Sequence, residues 1–146
     1  MGCYRSSNYR KSGSSTKGNP FTHVILRGSD NGPNYHPSDI INVVNQLKCE
    51  CINESIIIDC SHGNYQKNHK NQLIVLDSVC KQIQGGNTNI RGIMLESNLV
   101  EGNQSIEDRP LIYGKSITDS CIDLQDTLEC FIKISKTISK NRYPDL

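Results

Sequence analysis

Neither charge is in surplus in this chain: sixteen basic residues against fifteen acidic ones leave a formal charge of +1. Nucleic acids and anionic membranes select for basic residues gathered on one face, so neither is an expected partner. Long apolar runs are missing too. Nothing approaches the roughly eighteen consecutive apolar residues of a membrane span, and the hydrophobic fraction is 35%. No apolar stretch follows the basic start M-G-C-Y-R-S-S-N-Y-R-K, so a secretory signal is not expected, and neither is lipid anchoring at Gly2-Cys3 with Ser6, where no second signal follows. A cytoplasmic location is expected. Seven cysteines are present, but the number is odd and several fall inside apolar segments, so disulfides are not expected to organise the fold. Cys49-Glu-Cys51 has one intervening residue and no second cysteine pair, which is poor spacing for structural zinc. Walker-type and dinucleotide glycine runs are absent as well.

At 146 residues the chain is long enough for one domain with a real core. Residues 1–20 are polar, rich in Ser, Gly and Asn and without period, and read as a disordered or atypical leader. From Phe21 onward short apolar runs alternate with helical patterns. The runs are His23–Arg27, Ser55–Asp59, Ile90–Glu96 and Ser116–Asp119, mostly β-branched and not cleanly alternating, as strands buried on both faces are. Helices are predicted from Pro37 to about Lys48, with Ile40, Val43, Val44 and Leu47 on one stripe, and from about Asn71 to Gln84, stopping at Gly85-Gly86. A last helix is predicted from about Ile122 to Ser139, its apolar side carrying Leu124, Leu128, Phe131 and Ile138. This order predicts an α/β fold with a parallel sheet and crossover helices.

Each strand candidate ends in a charged or metal-capable residue: Arg27, then Asp59 with His62, then Glu96, then Asp119. The carboxyl ends of parallel strands line one rim, where ligands bind. Taken alone, His62 is ambiguous between a metal ligand, an acid–base group and a polar residue at a strand exit, with metal ligation not the favoured reading, and Asp119 reads also as a helix cap. Taken together, His62, Glu96 and Asp119 supply an imidazole and two carboxylates, a set suited to a divalent metal such as Mn, Fe, Co or Zn. Arg27 offers a rigid fork of donors suited to a phosphate or carboxylate. His23, His36, His69 and the scattered lysines are weaker candidates, Lys115 alone among the lysines standing just before a rim strand.

The runs T-H-V-I-L-R-G, I-D-C-S-H-G-N, I-R-G-I-M-L-E-S-N-L-V-E-G-N-Q and Y-G-K-S-I-T-D-S-C-I closely resemble, in order and spacing, the C-terminal portion of the class I 3-deoxy-D-arabino-heptulosonate-7-phosphate synthases. These enzymes are also named phospho-2-dehydro-3-deoxyheptonate aldolases, and the resemblance runs from about Lys17 to Ile138. It implies a (β/α)8 barrel of which this chain holds the C-terminal half, about four βα units over residues 21–146, with the barrel not closed. The implied activity is a metal-dependent condensation of phosphoenolpyruvate with erythrose 4-phosphate and water, releasing phosphate, the first step toward chorismate and the aromatic amino acids. The resemblance further implies that His62, Glu96 and Asp119 are three of four metal ligands, that Arg27 binds phosphoenolpyruvate, and that Arg27 and His62 serve catalysis.

The departures carry equal weight. A full barrel needs about 250 residues, and the family's fourth ligand, a first-strand cysteine, falls with further lysines and arginines in the half that this chain does not hold. Ser29 replaces the second glycine of a family R-G-G, and Leu124-Gln125 stand where Trp and Glu are common. The expectations are therefore a chain inactive by itself with weakened metal binding, or alternatively a non-catalytic remnant or structural partner of a separate N-terminal half. An open-sheet phosphate-binding module is a third reading. Open strand edges favour self-association.

Overall fold

The structure, a computed structural model, describes residues 18–142; most of the expected leader therefore lies outside the described residues. The elements are β1 (Val24–Leu26), α1 (Pro37–Cys49), β2 (Ile56–Asp59), a short 3-10 turn (His62–Asn64), α2 (Asn71–Gln84), β3 (Ile90–Met94), β4 (Val100–Asn103), β5 (Lys115–Ser116) and α3 (Leu124–Arg142). Strands β1, β2 and β3 form a parallel sheet in that order, with Val24 beside Ile56, Leu26 beside Ile58 and Ile56 beside Ile90. Helices α1 and α2 make the two crossovers, as parallel pairing requires.

Both crossover helices start and stop for local reasons. Pro37 opens α1 with a preset φ and no N–H to satisfy, while the Asp39 carboxylate accepts the His36 backbone N–H at 3.1 Å. Helix α2 ends as Gly85 N–H reaches Lys81 O at 2.9 Å and Gly86 turns to a φ of +92°, a conformation that glycine adopts without penalty. Their inward stripes, Ile40, Val44 and Leu47 on α1 with Val75, Leu76 and Val79 on α2, pack on Leu26, Ile56, Ile58 and Ile90 of the sheet. Full burial of each such side chain contributes about 1.5–3 kcal/mol.

The opposite face of the sheet is different. Ile25, Ile57 and Gly92 lie in register across it, and Ile25 remains 48% exposed. Parallel sheets are ordinarily covered on both faces. Here, among the described residues, only one is.

Three elements differ from expectation. The predicted fourth strand, Ser116–Asp119, is instead the two-residue β5, which pairs with β4 in a separate sheet, and residues 117–119 bend away. Strand β4, Val100–Asn103, lies outside the four predicted strands. The Gln104 amide explains both: its Nε2 donates to Ile112 O at 2.8 Å and Lys115 O at 2.9 Å, and its Oε1 accepts Ile112 N–H at 2.8 Å, which holds the 112–115 segment against β4. On α3, the side turned to the core carries Thr127, Cys130, Ile134 and Thr137, whereas Leu124, Leu128 and Phe131 are exposed. Small side chains suit the close approach of α3 to α2, so the larger apolar stripe faces outward.

The ends of β1 and β2 meet at two glycines. A Cβ on Gly63 would lie 2.4 Å from Ser29 N, and one on Gly28, whose φ is +71°, would lie 2.5 Å from Gly63 C. Backbone cannot give way as a side chain tip can. Gly63→Ala is therefore expected to lower stability by about 1–3 kcal/mol, read as the shift in urea midpoint; an unshifted midpoint would contradict this backbone contact.

Candidate metal centre

The site is built where β2 ends. Asp59, the last strand residue, is buried, and the chain then turns sharply through Ser61 and His62, the latter at a φ of 51°. One carboxylate oxygen of Asp59 accepts the Ser61 backbone N–H at 2.9 Å and its hydroxyl at 2.5 Å, and the other meets His62 Nδ1 at 2.8 Å. The imidazole is thereby held with Nε2 facing Glu96 Oε1 at 3.3 Å.

Glu96 stands two residues beyond β3 and is fixed by α2. Gln72, fully buried in that helix, accepts the Glu96 N–H at 2.9 Å and donates to the Glu96 carbonyl at 3.1 Å. Burial raises the Glu96 carboxyl above the usual carboxylate range; His62 opposes the rise, and the charges of Asp119 and Asp59 add to it. Its Oε2 is buried without a hydrogen-bond partner. Asp119 arrives from the bend after β5, exposed, so that donor atoms of His62, Glu96 and Asp119 lie within 4.8 Å of one another. An imidazole and two carboxylates make a donor set that a divalent cation fits, and Glu96 Oε2 is a buried oxygen still without a partner.

Arg27 follows β1 and is exposed; its carbonyl accepts the Gly63 N–H at 3.0 Å, and its positive charge works against the rise of the Glu96 carboxyl. Beside these groups opens a cleft of about 550 Å3, lined among others by Ser29, Gly32, His62, Tyr65, Lys67 and Asp119. Ser29, the residue in place of a glycine, thus lies on the cleft wall. The phenol of Tyr65 is raised by burial and then by Asp119 and Glu96, an indication of how negative this end of the sheet is.

The remaining candidates fall elsewhere. His23 meets Ser55 Oγ at 2.6 Å at the opposite end of the strands, and His36 packs on Tyr35, ring centroids 4.4 Å apart. His69 lies closer: Ser120 Oγ is 2.9 Å from its Nδ1 and Glu101 Oε2 3.5 Å from its Nε2, which ties the loop just after Asp119 to the start of α2. A second acidic group, Glu101, Asp123 and Asp126, is bridged by Lys70, which pairs with Glu101 and with Asp126. Lys115 lies in β5 against Gly102. Residue patterns did not reveal Gln72, a polar residue inside an apolar helical stripe, nor Asn64, whose buried amide donates to Leu26 O at 3.0 Å and Asp59 O at 2.7 Å. Asp59 was legible as a charged strand end, and its i,i+3 spacing to His62 was the available sign of a partnership.

Comparison with known proteins agrees with this architecture. Residues 3–131 match the DAHP synthetase I family. The Trp-sensitive phospho-2-dehydro-3-deoxyheptonate aldolase of Salmonella typhi is 46% identical over 124 residues, 84% of this chain and 35% of that protein. The protein of the same name from Buchnera aphidicola is 45% identical over the same share. A solved phospho-2-dehydro-3-deoxyheptonate aldolase from Francisella tularensis superposes with a TM-score of 0.82 at 44% identity, covering 85% of this chain and 36% of that one. This chain thus spans about a third of the length of the relatives it matches. With a family match across most of its length and a parallel α/β structure that follows a solved relative, the chain belongs to the DAHP synthetase I family.

Proposed function

We propose that residues 21–142 are the C-terminal part of a (β/α)8 barrel and supply the metal-binding side of a site that condenses phosphoenolpyruvate with erythrose 4-phosphate and water, the entry step of aromatic amino-acid biosynthesis. The observation that carries this reading is the convergence of His62, Glu96 and Asp119, whose donor atoms lie within 4.8 Å of one another. These three residues would hold the cation, and Arg27 would take the carboxylate or phosphate of phosphoenolpyruvate with its planar fork of donors. A bound Mn, Fe, Co or Zn ion would act as a Lewis acid toward the aldehyde of erythrose 4-phosphate. The chain's own contribution is preorganisation. Gln72 holds the Glu96 backbone, and the glycine contact keeps Arg27 beside His62, so these groups need little rearrangement when substrate arrives.

Three ligands and one arginine are not a full site for two phosphorylated substrates. The incompletely covered face of Ile25, Ile57 and Gly92 supports a second element of the reading: the remaining βα units, in the same polypeptide or in a separate one, cover that face and bring the missing ligand and cations. The same face weighs against a self-sufficient open-sheet phosphate module.

Purified by itself, this chain is expected to form no product from phosphoenolpyruvate and erythrose 4-phosphate with added manganese; detectable product would overturn the half-site reading. Mixing it with a polypeptide spanning the N-terminal units of a family member is expected to yield a complex on gel filtration and to restore turnover. In a manganese titration followed by electron paramagnetic resonance, His62→Ala is expected to weaken binding by at least about tenfold, since loss of even an outer-shell partner costs about 10–100-fold. Equal affinities would reject His62 as a ligand.

A further inference from the structure

We propose that Asp59 is a positioning residue that dictates the tautomer of His62, keeping the ring proton on Nδ1 so that the Nε2 lone pair faces Glu96. Every polar neighbour of Nδ1 requires this. The Asp59 carboxylate, buried and 2.8 Å from Nδ1, only accepts hydrogen bonds. Ser61 Oγ lies 2.8 Å from Nδ1, but its own proton is already given to Asp59 Oδ1 at 2.5 Å, so it too turns a lone pair toward the ring. With Nδ1 committed to Asp59, Nε2 is the ring nitrogen left to ligate a cation, and Glu96 Oε1 stands 3.3 Å from it as a second ligand. Asp59 itself does not line the cleft. It acts through the ring.

The isosteric substitution Asp59→Asn gives a directional test. The Ser61 backbone N–H, 2.9 Å from Oδ1, is a fixed donor, so the amide oxygen must take that position and the NH2 group must take the place of Oδ2, facing Nδ1. A donor there turns Nδ1 into an acceptor and moves the ring proton to Nε2, the atom that would bind metal. The inference builds on His62 as a metal ligand, but its first readout needs no metal.

Two-bond 1H–15N correlation spectra of the chain labelled with 15N-histidine report the tautomer directly, the His62 signals being identified by their loss in His62→Gln. The wild type is expected to show the proton on Nδ1. Asp59→Asn is expected to show it on Nε2 and to bind manganese about 10–100-fold more weakly. A wild-type proton on Nε2 would overturn the inference, as would an Asp59→Asn protein that keeps both the Nδ1 proton and wild-type affinity. Should Asp59→Asn fail to fold, the wild-type spectrum alone decides. Should the wild type bind no manganese, the metal-centre reading falls, while the tautomer still judges Asp59.

Discussion

The buried amide of Asn64 is the cross-link on which the binding rim depends. Its NH2 group donates to the last carbonyls of two neighbouring strands, Leu26 O and Asp59 O, and its oxygen accepts the Asn34 N–H at 2.8 Å. Breaking such a bond in a dry interior leaves its partner unsatisfied at a cost of about 1–3 kcal/mol, so the cross-link is rigid as well as stabilising. It can form only because Gly28 and Gly63 let the two backbones touch. From that junction Arg27 leaves one strand and His62 the other, so the separation of a cationic anchor and an imidazole is set by main-chain geometry. Gln72 repeats the device one strand further on, gripping Glu96 from α2. The rim is held by side-chain amides bonded to backbone, a firmer arrangement than charged side chains leaning on one another in water.

Among the described residues the same sheet is fully packed on one side and only partly covered on the other. Toward α1 and α2 its isoleucines are fully enclosed; on the far side Ile25 stays half-exposed and the outward stripe of α3 is likewise uncovered. In water, apolar surface of this extent favours association. It also bears on the chemistry. Groups at the carboxyl ends of strands converge fully only when the sheet curves around them, and three parallel strands supply one arc of such a curve. At the carboxyl ends of these strands Glu96 keeps one carboxylate oxygen unpaired and Arg27 stays exposed.

The two crossover helices and three of the strands were legible because their signals are local: a proline and an acidic residue at one end, a glycine pair at the other, and β-branched runs between. The rest was not, for identifiable reasons. Helix α3 has two usable stripes, and periodicity ranks the more apolar one first, although the packing distance to α2 admits the Thr and Cys side. Strand β5 was misplaced because Ile117-Thr118 has strand propensity that the Gln104 clamp overrides. Asp119 comes within 4.8 Å of the His62 and Glu96 donor atoms from a bend, so the expectation that it ends a fourth strand was wrong about its route.

His62, Glu96, Asp119 and Arg27 could be singled out by sequence alone because chemistry-bearing residues placed just past strand ends are visible as patterns along the chain. The family could be recognised in the same way. What only the tertiary structure decided is the geometry that gives those residues meaning. Gln72 looked like an interruption in an apolar stripe until the fold set it against the Glu96 backbone, and Asp59 looked like one more strand-end charge until the turn folded His62 back upon it. The nitrogen of His62 that faces Glu96 is set within one local turn by Asp59 and Ser61, whereas the grip of Gln72 on Glu96 joins residues distant in sequence and exists only once the chain has closed on itself.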